Sequence, residues 1–539
     1  MVFVPILIGM LLLVTGAHWY VWRRLVRDTM RRGGWPRRLG TSAVVLLPLM
    51  AFATMASERA GAPMPVQQAL GWPGLMWLAL LLYLLLALAV GELVRPVLLR
   101  VLERRAARRG AGAVGGVAVA GAAGGSGGAG AAGAVGVAGA VDEAEREAAV
   151  AALAQQVAAT EAAEEESAGD GVGGGGIGGG GGVGTETKAP LRLGPVTGVA
   201  DGGDAAGGGA GGSADSRGSA GSVDSAGSAG SGGSGSSAGS ATGSGRAAVG
   251  GAGGSAGDRA DVSRRLFVAR TVAIGATAVA AGTVTYGAYG VLGRAPRVKN
   301  VTVPLAKLPA SADGYRIAVV SDIHLGPVLG RRHTRRIVDT INAQRPDLVA
   351  IVGDLVDGSV DHLGTAAEPL GQLEARDGSY FVTGNHEYFT GASGAAEWLD
   401  HLRELGLHPL ENARAELAGF DLAGVNDVSG EDVGEGPDFA RALGDRDTSR
   451  ASVLMAHQPV VIHDAVDHGV DLQLSGHTHG GQMWPATYVA EAANPTLAGL
   501  ERYGDTQLYV TRGAGAWGPP VRVGAPSDIT VVRLASPAA

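Results

Sequence analysis

Five short runs of polar residues each follow an apolar, β-rich stretch in the C-terminal half of the chain. They are Ser321-Asp322-Ile323-His324, Gly353-Asp354-Leu355-Val356-Asp357, Gly384-Asn385-His386-Glu387, Ala456-His457 and Gly476-His477-Thr478-His479. Ligands of α/β sheets bind in the crevice beyond the carboxyl ends of the strands. One such run alone is more often a helix cap, a turn or a buried histidine. Five runs that deliver Asp, Asn or His to one edge are hard to explain by packing and indicate a shared site.

The elements that must position these runs alternate between strands and helices. Buried strands are predicted over Arg316–Ser321 and Asp347–Val352, with a helix over Arg332–Gln344 between them. Further helices are predicted over Ala395–Leu405 and Pro459–Asp467, and further strands over Phe420–Val425, Ser452–Ala456, Val470–Leu474, Gln507–Thr511 and Asp528–Leu534. This alternation predicts an α/β domain at residues 300–536, which is long enough to bury a core.

Taken in order, the five runs resemble the motifs of the calcineurin-like metallophosphoesterase superfamily: D-x-H, G-D-x-x-D, G-N-H-D/E, H and G-H-x-H. The resemblance covers Gly314–Leu534, which is less than half of the chain. It implies a four-layer α-β-β-α sandwich with helices on the outer faces of two sheets. The segment Thr511–Pro520 also resembles the membrane-associated bacterial branch of the superfamily.

The resemblance implies two divalent metal ions. The implied ligands of one ion are Asp322, His324 and His479, those of the other are Asn385, His457 and His477, and Asp354 bridges both. The chain has no cysteine, so the ligands must be nitrogen and oxygen atoms. Carboxylate, imidazole and amide oxygen suit Mn, Fe or Zn. A shared anionic ligand limits the repulsion between two cations, which together lower the pKa of a bridging water.

The resemblance also implies two catalytic residues that are not metal ligands. His386 would protonate the leaving oxygen or hold the phosphate, and Asp357 would orient the His386 ring. Protein Ser/Thr phosphatases of this superfamily carry arginine where this chain has Gly358, so a phosphoprotein substrate is disfavoured. Arg512 is a candidate phosphate contact instead, and a surface salt bridge is its alternative.

Residues 1–109 are predicted to form a membrane region with three helical spans: Val2–Trp22, Leu39–Ala56 and Leu75–Val94. Arginines cluster after the first and third spans, so the positive-inside rule places the N-terminus outside and the segment after Arg95 in the cytoplasm. Residues 110–262 are rich in Gly, Ala and Ser and have few large apolar residues, which predicts a disordered linker.

Residues 263–294 are predicted to hold a fourth span, Thr271–Gly293. It is preceded by Ser263–Val268, whose paired arginines and phenylalanine resemble a twin-arginine export signal. The alternative is that these arginines simply mark the cytoplasmic end of the span. Both interpretations place the C-terminal domain outside the cell, and the first adds the twin-arginine export machinery as a partner.

Together these features predict a multi-pass cell-membrane hydrolase with an extracytoplasmic catalytic domain. The resemblance implies attack of metal-held hydroxide on a phosphodiester, nucleotide or lipid-linked phosphate, by a phosphodiesterase or a phosphomonoesterase. The alternative is a membrane scaffold whose phosphoesterase-like domain binds a phosphorylated ligand without turnover. The formal net charge of −8 is modest and gives no reason to expect a specific nucleic-acid partner.

Overall fold

The computed structural model describes residues 3–117, 256–537 and 539. The helices are α1 (Phe3–Val21), α2 (Trp35–Arg59), α3 (Met64–Val117), α4 (Ala256–Leu292), α5 (Arg331–Ala343), α6 (Val360–Ala367), α7 (Gly391–Glu404), α8 (Phe439–Leu443), α9 (Ile462–Asp467) and α10 (Thr487–Ala493). A π-helical segment, Trp22–Arg27, continues α1. Short 3₁₀ helices lie at Ala310–Ala312, Glu368–Gln372, Glu387–Thr390, Val428–Val433, Pro459–Val461 and His479–Gly481.

Twelve strands form two six-stranded sheets in the described part of the chain. The strands are β1 (Arg297–Pro304), β2 (Arg316–Val320), β3 (Leu348–Val352), β4 (Ser379–Val382), β5 (His408–Pro409), β6 (Ala413–Glu416), β7 (Phe420–Gly424), β8 (Ala451–Met455), β9 (Leu472–Ser475), β10 (Gly499–Tyr503), β11 (Thr506–Val510) and β12 (Asp528–Ala535). The strand orders are β1-β12-β2-β3-β4-β5 and β10-β11-β9-β8-β7-β6. Strands β2, β3 and β4 are parallel, as are β8 and β9.

The alternation of side chains along each strand divides the core into separate apolar layers. Ile317 and Val319 of β2 lie with Val453 of β8 in one cluster, which therefore fills the space between the sheets. Ala318 and Val320 of β2 face the other way and pack with Ile337, Ile341 and Trp398 of helices α5 and α7. On the second sheet, Leu454 of β8 packs with Ile462 and Ala465 of α9 and with Ala442 of α8. The predicted α-β-β-α fold is confirmed.

Three helical stretches among the described residues are long and apolar enough to cross a membrane: Trp35–Glu58, Met64–Arg108 and Ser263–Leu292. They contain almost all of the second, third and fourth predicted spans. The first predicted span, Val2–Trp22, coincides with α1, whose side chains are described only from Ile8. Residues 118–255 of the predicted linker lie outside the described residues, and the proposed orientation and domain limits stay predictions.

Helices α3 and α4 pack directly against loops of the sandwich. The Tyr83 hydroxyl of α3 donates a hydrogen bond to the Trp484 carbonyl, at 3.0 Å. The Arg522 backbone N–H donates to the Gly287 carbonyl of α4, at 3.2 Å. Val521 is fully buried in an apolar cluster whose other buried residues come from the N-terminal helices and α4. The apolar helices and these loops therefore share one packed interface.

Candidate metal centre

Each of the five polar runs begins within one or two residues of the carboxyl end of a strand. The first three runs follow β2, β3 and β4 of one sheet, and the last two follow β8 and β9 of the other. Neighbouring loops are joined through their backbones: the Asp322 N–H donates to the Gly353 carbonyl and the His324 N–H to the Asp354 carbonyl, at 3.1 and 3.2 Å. The parallel order within each sheet therefore brings all five loops to one edge of the sandwich.

The backbone at the predicted ligands is unusual. Asp322, His324, Asp354, His477 and His479 all have a positive φ, between 50° and 71°. They are five of the eight non-glycine residues with positive φ in the described chain. A residue with a side chain is strained at positive φ, and residues strained in this way cluster at functional sites. The loops thus hold a conformation that packing alone would not select.

The side chains predicted to hold the first metal ion lie together. Four residues each offer a ligand atom within 4.8 Å of the others: Asp322, His324, Asp354 and His479. The first three are buried, and Asp354 is the ligand that the two predicted ions share. His479 Nε2 lies 3.3 Å from Asp322 Oδ1, and His324 Nε2 lies 3.7 Å from Asp354 Oδ2. The two Nε2 atoms of His324 and His479 are 3.1 Å apart. This group can surround one cation with two carboxylates and two imidazoles.

The side chains predicted to hold the second ion form an adjoining group around the same aspartate. Asp354, His457 and His477 also offer ligand atoms within 4.8 Å of one another. His457 Nε2 lies 3.2 Å from Asp354 Oδ2. The Asn385 side-chain oxygen lies 3.0 Å from His477 Nδ1, which brings the predicted amide ligand into the group. All seven predicted ligands therefore converge, and Asp354 is the residue common to both groups.

The donor set fits a pair of cations. His457 Nδ1 lies 2.8 Å from the Val352 carbonyl, so Nδ1 carries the proton in the neutral ring. The lone pair of Nε2 then points at an Asp354 carboxylate oxygen, and His457 Nε2 is a buried atom without a hydrogen bond. Two electron-pair donors that face each other at this distance need a proton or a metal cation between them, and the arrangement fits either. Metal-ligating histidines are commonly held in this way by a bond from the other ring nitrogen.

Asp357 joins His386 to this centre. Its Oδ1 atom lies 2.7 Å from His386 Nδ1 and 2.8 Å from His324 Nδ1. His386 Nε2 lies 3.9 Å from Asp354 Oδ2, so the free side of the ring faces the centre. The His386 backbone N–H donates to Asp354 Oδ1, at 3.0 Å. Both residues therefore lie beside the predicted ligands, and Asp357 contacts the two rings at once, while their catalytic roles stay predictions.

The charges of the Asp354 and Asp357 carboxyl groups are set by the imidazoles around them. Burial alone would raise the pKa of Asp354, but His457, His386 and His324 hold it well below its usual range. Burial also opposes the ionisation of Asp357, but the charges of His324 and His386 lower its pKa to about 2. Both groups are therefore carboxylates at neutral pH, as the predicted roles of Asp354 and Asp357 require.

The histidines divide into two kinds. Burial and nearby positive charge lower the pKa of His477 to about 4 and hold that of His479 well below its usual range, so both rings keep a lone pair. Burial would lower the pKa of His324 too, but Asp357, Asp354 and Asp322 raise it to about 9. Burial and the charge of Asp354 raise the pKa of Asp322. Cations at the centre would replace the protons that these groups otherwise need.

Glu387 is a buried residue of the third run to which sequence interpretation gave no role. Its carboxylate accepts hydrogen bonds from the backbone N–H groups of Asp354, Leu355 and Gly384, at 3.1, 2.9 and 2.6 Å. Burial raises its pKa to about 7, although these donors oppose the rise. Glu387 therefore ties the second loop to the third and fixes the position of Asp354. Its place in the G-N-H-E run was a signal that could have found it.

Arg522 was also missed, and no sequence signal pointed to it. Its side chain is 4% exposed and donates to the carbonyl oxygens of Gly515, Ala525 and Arg512. Its Nη2 atom lies 3.1 Å from His479 Nδ1. Arg522 thus supports the ring of a predicted ligand from behind. Arg512, the predicted phosphate contact, lies against Gly480 next to His479, and its role stays a prediction.

Replacing Gly384 with alanine should disrupt the centre. A Cβ atom there would meet the Asp354 backbone nitrogen and Oδ1 at closer than normal contact, so Asp354 must move. Such overpacking costs about 1–3 kcal/mol. We expect a lower thermal unfolding midpoint and less bound metal by elemental analysis. Gly330→Ala is the matched control, because a Cβ at that position meets nothing within 4 Å. Equal behaviour of the two variants would contradict the close approach.

Residues 315–481 match the family described as Calcineurin-like phosphoesterase. The chain is 40% identical over 267 residues to a transmembrane protein with metallophosphoesterase domain from Danio rerio, covering 47% of this chain and 61% of that protein. It is 36% identical over 275 residues to an uncharacterized metallophosphoesterase from Helicobacter pylori, covering 50% of this chain and 72% of that protein. A solved dimetal phosphatase from Danio rerio aligns at 13% identity with a TM-score of 0.28, over 41% of this chain and 93% of that one. The family match and the bacterial relative place this chain in the calcineurin-like metallophosphoesterase superfamily.

Proposed function

We propose that this chain is a membrane-anchored phosphoesterase that uses two divalent metal ions. One observation carries the proposal: Asp354 belongs to two adjoining groups of ligand atoms, each able to hold one cation. A lone structural site would not need a shared carboxylate, whereas two nearby cations do. The apolar helices α2, α3 and α4 support the anchoring.

The proposed ligands divide between the two ions as the motifs imply. Those of the first are Asp322, His324 and His479, those of the second are Asn385, His457 and His477, and both share Asp354. When bound, the ions would supply Lewis acidity that lowers the pKa of water and neutralises phosphoryl oxygens as charge builds. Nitrogen and oxygen ligands of this kind suit Mn, Fe or Zn.

His386 would act on the leaving group. Its Nε2 side faces the centre while its Nδ1 atom lies 2.7 Å from Asp357. A carboxylate beside Nδ1 fixes the orientation of the ring, so Nε2–H would pass a proton to the departing oxygen. Asp357 acts through His386 and is therefore a positioning residue.

The proposed substrates form a narrower class than the substrates of the whole superfamily. Gly358 occupies the position where arginine grips phosphate in the protein phosphatases of this superfamily, so we propose a phosphodiester, nucleotide or lipid-linked phosphate. We also propose that the catalytic domain lies outside the cell, because the arginines cluster after the first and third predicted spans. Residues 511–520 support the membrane-associated bacterial branch, although the relatives include animal proteins as well.

Turnover of bis-p-nitrophenyl phosphate tests the proposal. The full chain in detergent is stripped of metal, reloaded with Mn, Zn or Fe, and assayed for p-nitrophenolate release. We expect turnover with at least one metal and loss of turnover on chelation, with about two metal ions bound per chain. If two ions bind but neither this diester nor p-nitrophenyl phosphate is hydrolysed, the hydrolase proposal fails and the scaffold alternative gains support.

A further inference from the structure

An exposed apolar surface lies next to the metal centre. It begins at Trp484, five residues after His479, and continues along α10 through Tyr488 and Val489. These side chains are 47%, 65% and 72% exposed, and no residue of α10 is buried. Large apolar side chains that are grouped on a surface mark an interaction site. We name Trp484, Tyr488 and Val489 the apolar patch.

The apolar patch continues the interface with the helices that are apolar enough to span a membrane. The Trp484 carbonyl accepts a hydrogen bond from Tyr83, at 3.0 Å. Tyr83 lies in the aliphatic part of α3, well inside the candidate span Met64–Arg108. Nearby, Gly287 of α4 approaches the sandwich so closely that a Cβ would lie 2.7 Å from Val521 Cγ1. Trp484 therefore lies beside the apolar surface of α3, at the height of Tyr83, and not beyond the end of that helix.

The backbone polar groups of Trp484, Pro485 and Ala486 are all paired within the protein, which suits an apolar medium. In lipid every backbone polar group needs an internal partner. The Trp484 N–H donates to the Val523 carbonyl at 2.9 Å, its carbonyl is bonded to Tyr83, and Pro485 has no N–H. The Ala486 N–H donates to the Met483 carbonyl at 2.8 Å, and a helix follows. The one charged residue of α10, Glu491, lies in its last turn and can reach water.

Two further exposed aromatic residues connect the apolar patch to the reaction centre. Trp517 is 53% exposed, and its backbone is bonded to the side chain of Gln482, which precedes Met483 and Trp484. Phe389 is 62% exposed. Their ring centroids lie 5.9 and 4.1 Å from that of His386. The apolar surface therefore reaches the side of the centre where His386 would act.

We propose that the apolar patch is embedded in the bilayer leaflet that holds Tyr83 of α3 and Gly287 of α4, with Phe389 and Trp517 at its edge. The occupant of this surface is phospholipid and not a protein partner, because the surface is continuous with membrane-spanning helices. From this position we infer that the phosphoester that reaches His386 is an amphiphile anchored in that leaflet. This substrate class rests on the proposed function, whereas the embedding of the apolar patch does not.

The embedding is tested by fluorescence quenching. The natural chain has no cysteine, so Tyr488→Cys gives a single labelling site for an environment-sensitive dye. The full-length variant is placed in phosphatidylglycerol–phosphatidylcholine nanodiscs. Lipids that carry nitroxide on the upper acyl chain should quench the dye, and aqueous iodide should not. Val489→Cys provides a second position.

The matched control is Asp505→Cys, an exposed residue that directly precedes β11 at the strand end opposite the centre. Its dye should be quenched by iodide and not by the lipids. If the dyes at residues 488 and 489 are quenched by iodide as strongly as the control and not by the lipids, the embedding is wrong.

The substrate class is tested with two esters that share one leaving group. The native chain in nanodiscs is offered p-nitrophenyl hexadecyl phosphate, which enters the bilayer, and p-nitrophenyl methyl phosphate, which does not. We expect kcat/KM to be at least about tenfold higher for the hexadecyl ester, because its long alkyl chain partitions into the leaflet. Equal values would overturn the amphiphile assignment and leave the hydrolase intact. Hydrolysis of neither ester would instead count against the proposed function.

Discussion

Asp354→Asn should lower the turnover of bis-p-nitrophenyl phosphate by at least about a thousandfold, because one substitution removes the negative charge between both cations. Asp354 Oδ2 lies 3.2 Å from His457 Nε2 and 3.7 Å from His324 Nε2, so it faces both groups of ligands. An asparagine has the same shape but presents no anion to limit the repulsion of two cations. The loss should therefore come from metal binding and not from unfolding.

The measurement combines steady-state kinetics with elemental analysis. We expect bound metal to fall from about two ions per chain toward one, because the seven ligands then lack their bridging charge. Asp400→Asn is the matched control, since the Asp400 side chain is 76% exposed on α7 and pairs with Arg403. Full activity of Asp354→Asn with two bound ions would end the bridging assignment.

His386→Asn should show a loss that depends on the leaving group. Removal of a general acid commonly costs about 10²–10⁴-fold in rate. The full loss is expected for an alkyl ester such as glycerol phosphate, whose alkoxide needs a proton. A smaller loss is expected for p-nitrophenyl esters, because p-nitrophenolate departs as a stable anion. This difference is a readout that a purely structural histidine would not change.

Kinetics with both classes of ester, on the same metal-loaded preparation, supply the test. His463→Asn is the control, because His463 is exposed on α9. A loss of equal size for both leaving groups would show that His386 holds the phosphate and does not donate a proton. Asp357→Asn should reproduce the leaving-group pattern, and it should also weaken metal binding, because Asp357 contacts the His324 ring at 2.8 Å.

The sequence predicted the sandwich and the convergence of the ligands for one reason. The short apolar strand β3 is buried along its whole length and β2 at every residue but Arg316, and each is followed at once by a polar run. Strand pattern and motif order together leave few arrangements of the loops. The edge strands β1, β5, β6 and β10 were missed, because they are short or exposed and carry no clear apolar alternation. The four-residue strand β4 was given no bounds either.

The supporting residues could not be predicted in the same way. Arg522 lies 43 positions from His479, and only the folded chain shows that its guanidinium reaches that ring. The contact between Tyr83 and Trp484 joins residues 401 positions apart, with the predicted linker between them. Local patterns report on periodicity and turns, whereas these contacts depend on how separate elements pack in three dimensions.

The centre draws on both sheets, and this has a consequence for loading. Each proposed ion takes ligands from loops of the first sheet, such as Asp322 or Asn385, and from loops of the second, such as His479 or His457. Binding of the first cation therefore restricts the movement of the two sheets relative to each other before the second cation binds. The second then meets a pocket that is already ordered, so uptake of the pair should be cooperative, and the filled sandwich should resist separation of its halves.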